Sequence, residues 1–211
     1  MTQHHPAHPL RPYEAVLCDV DGVLRHWPAD TEIEQANGLP AGALASAAFA
    51  PARVLPAVTG KITDAEWRHA VAADLAAICG SKERAQAAVA AWTERVPVVD
   101  QELVDLLTQV RAVASVALVT NGTTRLEQDL AGQGLDKIAH AVVNTARIGV
   151  AKPDPRVYHL AAELVGAPAR RCLFIDDTEA NVIAAREAGM DAVQYRTLDE
   201  LRETLTPLLN Q

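Results

Sequence analysis

The chain has 211 residues, 49% of them hydrophobic and 22% charged, with 19 Lys and Arg against 27 Asp and Glu for a formal net charge of −8. This fits one globular core of about 200 residues, or a core carrying a smaller insertion. No basic run is present and aromatics make up only 4%, which argues against a nucleic acid or an anionic membrane as partner. No apolar run reaches the roughly 18–20 residues of a membrane span.

The opening fourteen residues lack the apolar stretch of a secretory signal, so a cytoplasmic location is expected. Their three His and three Pro read as a leader ahead of the first strand rather than as a metal-binding tail. Cys18, Cys79 and Cys172 lie far apart, inside apolar runs and without zinc spacing, which predicts buried free thiols in a reducing compartment.

In chain order, residues 14–18 form a short apolar run that stops at Asp19-Val20-Asp21-Gly22. A continuous apolar run predicts a strand buried on both faces, as in a parallel sheet. Residues 25–98 break that pattern and show no strand. Pro28, Pro40, Pro51 and Pro56 punctuate their first part. Thr63-Asp64-Ala65-Glu66 then reads as a capping box opening a helix that runs to Cys79 and stops at Gly80, and Ser81 caps a second helix that ends before Pro97. Residues 1–24 and 99–211 are therefore expected to form the core, and residues 25–98 a helical cap that leaves the sheet just after Asp21.

From residue 100 onward helices and strands alternate. Helical spacing covers residues 101–113, with Leu103, Leu106, Leu107 and Val110 on one face. Further helices are predicted over 123–131, 155–165, 179–188 and 198–209. Apolar strand runs fall at 115–120, 140–144, 171–175 and 191–195. The alternation predicts an α/β fold with a doubly wound parallel sheet.

Four motifs fall at strand ends or at the helix starts beside them, where open parallel sheets bind ligands. Asp19 and Asp21 stand two apart, so in extended chain both carboxylates point the same way and call for a cation or a shared proton. They suit a nucleophile or metal ligand beside a general acid/base, or else an ordinary Asp-Gly turn. Thr120-Asn121-Gly122 suits anion binding by hydroxyl and backbone N–H, or a plain helix cap. In Lys152-Pro153-Asp154-Pro155, Pro155 fits a first helical turn with Asp154 as cap. Lys152 could there balance carboxylates and hold a phosphate, or simply be a solvated lysine. Asp176 and Asp177 end another apolar strand and would make an oxygen-rich site for Mg²⁺, unless Asp177 or Thr178 merely caps the following helix.

Taken in order, these four motifs resemble those of the haloacid dehalogenase-like (HAD) hydrolases over about residues 14–24 and 100–195. The stretch Thr59-Gly60-Lys61-Ile62-Thr63-Asp64-Ala65-Glu66-Trp67 also resembles the helical cap that some members insert after the first motif. The resemblance implies that Asp19 is a nucleophile forming an aspartyl-phosphate and that Asp21 is the acid/base. It implies that Thr120 and the backbone at Asn121 hold phosphate oxygens and that Lys152 steadies Asp19. Mg²⁺ would be held by Asp19, the Asp21 carbonyl and Asp177, with Asn181 four residues after Asp177 and Asp176 acting through water. The implied activity is Mg²⁺-dependent hydrolysis of a small phosphorylated metabolite. A phosphomutase and a non-catalytic binding domain are the alternatives, while Asp21 argues against dehalogenation of a 2-halo acid. Arg25, His26, Trp27 and the cap helices are the candidate specificity elements. Trp27 is expected to pack cap against core, and Lys61 and Arg68 to be solvated helix charges.

Overall fold

The structure, a computed structural model, describes residues 11–210, so the leader's three histidines lie outside the described residues. Strand β1 (Ala15–Cys18) is buried at every position. The chain then passes through β2 (Arg25–His26) into five helices: α1 (Thr31–Ala36), α2 (Ala43–Ala48), α3 (Pro51–Val58), α4 (Asp64–Cys79) and α5 (Lys82–Thr93). It returns through β3 (Val98–Val99).

The remainder alternates as the apolar pattern predicts. Helix α6 (Gln101–Arg111) precedes β4 (Ser115–Thr120), and α7 (Leu126–Gly132) precedes β5 (Ala141–Asn144). A short α8 (Thr145–Ile148) and α9 (Pro155–Val165) lead to β6 (Cys172–Asp176). Helix α10 (Glu179–Glu187), β7 (Asp191–Gln194) and α11 (Leu198–Leu209) follow.

The main sheet has the order β5-β4-β1-β6-β7 with every pair parallel. Strand order reverses beside β1, so the crevice at the carboxyl ends of β1, β4 and β6 is the switch point where such sheets hold ligands. Alternate side chains explain why β1 reads as a continuous apolar run. Val16 and Cys18 pack on one face with Leu103 and Leu107 of α6 and Leu205 of α11. Ala15 and Leu17 pack on the other with Tyr158 of α9 and Phe174 of β6. All three cysteines are free and buried.

The helices from α1 to α5 enclose a separate apolar cluster that includes Leu44, Trp67, Val71, Leu75 and Trp92. Helix α4 opens on the expected capping box: Glu66 N–H donates to Thr63 Oγ1 at 3.2 Å, and Thr63 N–H donates to the Glu66 carboxylate at 2.7 Å. It stops at Gly80, whose φ is 65°. Ser81 caps α5 by accepting from Arg84 N–H.

Two expectations need correction. The stretch 25–98 does contain strand: β2 pairs antiparallel with β3, Arg25 opposite Val99 and His26 opposite Val98, so both crossings of the chain run through one ribbon. A two-residue strand is too short for any period-two signal. Helix α7 begins at Leu126, not at Thr123. Thr123 Oγ1 instead donates to Asp64 Oδ1 at 2.8 Å, and Thr124 Oγ1 accepts from Asp64 N–H at 2.9 Å, tying the start of α4 to the loop after β4. Gly60 seals a second contact, since a Cβ there would lie 2.0 Å from the Ala146 carbonyl oxygen of α8. Among the described residues no helix is long and apolar enough to cross a membrane.

Candidate active site

Three strands converge on one ammonium group. Lys152 Nζ lies 2.8 Å from Asp19 Oδ1, just past β1, and donates to Asp176 Oδ2 at the end of β6 at 2.7 Å and to the Val119 carbonyl of β4 at 2.9 Å. All three N–H donors are thereby used. Its position comes from Asn121. Lys152 N–H donates to Asn121 Oδ1 at 2.8 Å, and Asn121 Nδ2 donates back to the Lys152 carbonyl at 3.0 Å. Asp154 then caps α9 by accepting from Arg156 N–H at 3.0 Å, with Pro155 as the first helical residue.

Burial sets the electrostatics. Asp19 is 6% exposed and Asp176 fully buried. Desolvation, with the Asp176 charge added, outweighs the pull of Lys152 and pushes Asp19 up to about 7. Burial opposes the charge on Lys152, but Asp19 and Asp176 more than offset it and hold the ammonium above the ordinary lysine value. The two carboxylates and one ammonium leave a buried excess of negative charge.

Asp177 completes the acidic group. Asp19, Asp176 and Asp177 each present an oxygen within 4.8 Å of the others. The close approach depends on Gly22, at φ 88°, where a Cβ would lie 2.2 Å from Asp177 Oδ2. Asn181 bonds to both oxygens of Asp176, at 3.0 and 3.1 Å, rather than serving Asp177 four residues before it. Thr178 N–H donates to Asp176 Oδ1 as well.

Asp21 is engaged by side chains of the segment that follows it. The backbone turns there, with the Val20 carbonyl accepting from both Leu24 and Arg25 N–H. The Asp21 carboxylate takes a two-pronged bond from Arg25, Nε at 2.8 Å and Nη2 at 3.2 Å, and a third bond from Trp27 Nε1 at 2.7 Å. Thr120, the last residue of β4, is 2% exposed, and Asn121 follows it at the mouth of the site.

A cavity of about 260 Å³ opens beside Asp21, between the sheet's carboxyl ends and the helices of the insertion. Trp27 lines it at 40% exposure, bonded to Asp21 and lying under Arg95 at 5.5 Å, so it joins the two parts and also faces the cavity. Arg68 is not a solvated helix charge: it pairs with Asp64 at 2.7 Å and lies over Trp92 at 4.8 Å. Lys61 is exposed, as expected, but sits in the bend before α4 rather than on a helix. Local sequence does not announce the roles of Arg25, Asn121 and Asn181 toward Asp21, Lys152 and Asp176. The one available signal is Arg25 at four residues after an acid in the first motif.

The haloacid dehalogenase-like hydrolase family matches residues 13–189. The chain is 45% identical over 58 residues to a phosphatase of Mycobacterium tuberculosis, covering 28% of this chain and 27% of that one. It is 32% identical over 119 residues to a phosphoserine phosphatase of Thermus thermophilus, covering 54% and 48% respectively. The matches thus span less than half the length of these curated relatives. The fold also superposes on a HAD family enzyme from Bacteroides thetaiotaomicron, solved in complex with magnesium and inorganic phosphate. That likeness has a TM-score of 0.71 at 21% identity and covers 90% of this chain and 98% of the other. With its motifs at the ends of β1, β4 and β6 and the family match running through nearly all of the sheet, the chain belongs to the haloacid dehalogenase-like hydrolases.

Proposed function

We propose that this hydrolase is a Mg²⁺-dependent phosphatase that cleaves a small phosphorylated metabolite through an aspartyl-phosphate on Asp19. The observation that carries the reading is the meeting of Asp19, Asp176 and Asp177 within 4.8 Å beside the Lys152 ammonium. Three carboxylates against one cation form an oxygen-only donor set that fits a hard divalent ion. Asp19, Asp177 and the Asp21 carbonyl would hold Mg²⁺. Asp176, already bonded to Lys152 and Asn181, would act through water. When bound, Mg²⁺ supplies positive charge that offsets the repulsion between a carboxylate and a phosphate dianion. Phosphatases among the relatives, and the fold neighbour holding magnesium and phosphate, support the same reading.

The chain's own groups divide the work as follows. Asp19 attacks phosphorus and the ester P–O bond breaks, while Asp21 gives a proton to the departing alcohol oxygen. Asp21 then takes a proton from water, whose oxygen attacks the aspartyl-phosphate, releasing inorganic phosphate and restoring Asp19. Thr120 and the backbone N–H at Asn121 hold phosphate oxygens, and Lys152 fixes Asp19 for in-line approach. Residues 1–24 and 99–211 serve as the catalytic core and 25–98 as its cap, which excludes water and bulky substrates. The cytoplasm is the proposed place of work, in keeping with three free buried cysteines.

The test is phosphate release from a generic aryl phosphate. Activity should require Mg²⁺, stop on chelation and be inhibited by Ca²⁺, whose looser, higher coordination spoils in-line geometry. Full activity after exhaustive chelation would overturn the metal assignment.

A further inference from the structure

The cavity beside Asp21 has an unusual wall. Four arginines line it, and each already has a carboxylate: Arg25 with Asp21 at 2.8 Å, Arg68 with Asp64 at 2.7 Å, Arg125 with Asp129 at 2.8 Å, and Arg95 with Asp30. Each guanidinium is thus already engaged by a neighbouring side chain. An incoming carboxylate would have to share a guanidinium with the carboxylate already bound to it.

The guanidinium groups instead serve as flat surfaces. Arg25 lies over Trp27 at 5.2 Å, and Arg95 over Trp27 at 5.5 Å and Trp92 at 5.9 Å. Arg68 lies over Trp92 at 4.8 Å and Trp67 at 5.5 Å. Cation and ring therefore alternate along the wall, from Arg25 through Trp27, Arg95, Trp92 and Arg68 to Trp67. Two aromatic side chains keep exposed surface in the cavity: Trp27 at 40%, beside the Arg25 and Arg95 guanidinium groups, and Phe49 at 58%, with Trp67 and Trp92 at 6.3 and 6.4 Å behind it. At about 260 Å³, the space lies near the lower end of ligand-site volumes, which run from roughly 300 Å³ upward, and it admits one ring system rather than a long chain.

We propose that this cavity binds the alcohol half of the substrate as an uncharged planar ring, an aryl group or a nucleobase, packed against the exposed surfaces of Trp27 and Phe49. The proposal rests on the phosphatase reading and names its substrate class. Trp27 links the ring to the chemistry. Its Nε1 holds Asp21 Oδ1 at 2.7 Å, so a ring packed beside that indole lies next to the Asp21 side chain. Stacking also accepts any ring with a π-face, while the paired arginines discriminate against substrates carrying a second anion.

All three tryptophans of the chain line this cavity, so intrinsic fluorescence reports on it without any need for turnover. The experiment titrates the full chain with uridine, guanosine, phenol, fructose and serine. In parallel it measures kcat/KM with Mg²⁺ for the phosphate monoesters of the same compounds, and for 4-carboxyphenyl phosphate beside phenyl phosphate. Ring compounds should quench saturably and fructose and serine should not. Ring phosphates should exceed fructose 1-phosphate and phosphoserine at least tenfold in kcat/KM, and the added carboxylate should cost at least fivefold. Phe49→Ser should collapse the preference ratio toward one. Quenching by nucleosides but not phenol, or the reverse, assigns the ring to a nucleobase or an aryl group. Saturable quenching with no turnover of any phosphate would uphold the ring site and defeat the phosphatase reading. Turnover with no ring preference and no quenching would overturn the ring site and leave the phosphatase reading standing.

Discussion

Lys152 carries the charge that makes two buried carboxylates tolerable. Its side chain is 2% exposed, and its ammonium touches Asp19 and Asp176 at 2.8 and 2.7 Å. Removing the ammonium leaves both carboxylates uncompensated, a loss of roughly 3–5 kcal/mol in comparable buried pairs. Lys152→Met should therefore lower the stability of the metal-free protein by about that much, read as a shifted urea midpoint. Asp19→Asn should act in the opposite direction. It removes the charge that burial already disfavours and leaves Lys152 and Asp176 as a neutral pair. The variant should melt at or above the wild-type temperature without metal, yet show no turnover. A Lys152→Met protein that unfolds like wild type, or an Asp19→Asn protein that melts lower, would refute this account of the buried charges. Turnover within tenfold of wild type in Asp19→Asn would remove Asp19 as the nucleophile.

The elements that the sequence makes legible are those whose signal is local. Strand β1 is an apolar run ended by an acid, β6 follows the same rule, and β4 is an apolar run that ends at Thr120, because strands buried on both faces need no polar alternation. Helices α4 and α5 are announced by Thr63, Glu66, Gly80 and Ser81, which act within a few residues of themselves. Contacts between distant segments leave no such mark. The β2–β3 ribbon joins Arg25 to Val99 with two residues on each side, and Asn121 reaches Lys152 across 31 positions. The four motif acids were visible as a set, but the turn at Val20 that hands Asp21 to Arg25 and Trp27 was not. Gly60 belongs to the same class, since its requirement comes from Ala146 of α8. A Gly60→Val chain, strained at φ 68° and blocked at 2.0 Å, must draw the start of α4 away from Thr123 and Thr124. Far-ultraviolet circular dichroism should stay near wild type. Displacing the cavity wall by even about an ångström should lower kcat/KM by about tenfold or more. Unchanged kinetics in a folded variant would show that this contact does not set the cap's working position.

At the scale of the whole molecule, two bodies of apolar packing meet at one site. The sheet buries its own clusters on both faces, and the helices from α1 to α5 bury a third around Trp67, Leu75 and Trp92. The two are joined by the β2–β3 ribbon and touch through Asp64 and Gly60. Asp19, Thr120, Lys152, Asp176 and Asp177 all belong to the sheet body, whereas Phe49, Trp67, Arg68, Trp92 and Arg95 all come from the insertion. Under the proposed function, phosphate binding falls to one body and the choice of alcohol to the other. Replacing residues 25–98 with a short Gly/Ser linker should leave a folded sheet body, because none of its clusters depends on the insertion. Such a protein should still be stabilised against heat by Mg²⁺ and should still release phosphate from small aryl phosphates, though slowly, since water now reaches the charged groups and weakens their contacts. Its selectivity should flatten, and phosphopeptides excluded by the cap should become substrates. The decisive measurement is the ratio of kcat/KM values across one panel for the intact and the lidless protein. A preserved ratio would show that the sheet body alone selects substrate, and efficient dephosphorylation of a folded phosphoprotein by the intact chain would contradict the steric role given to α1 to α5.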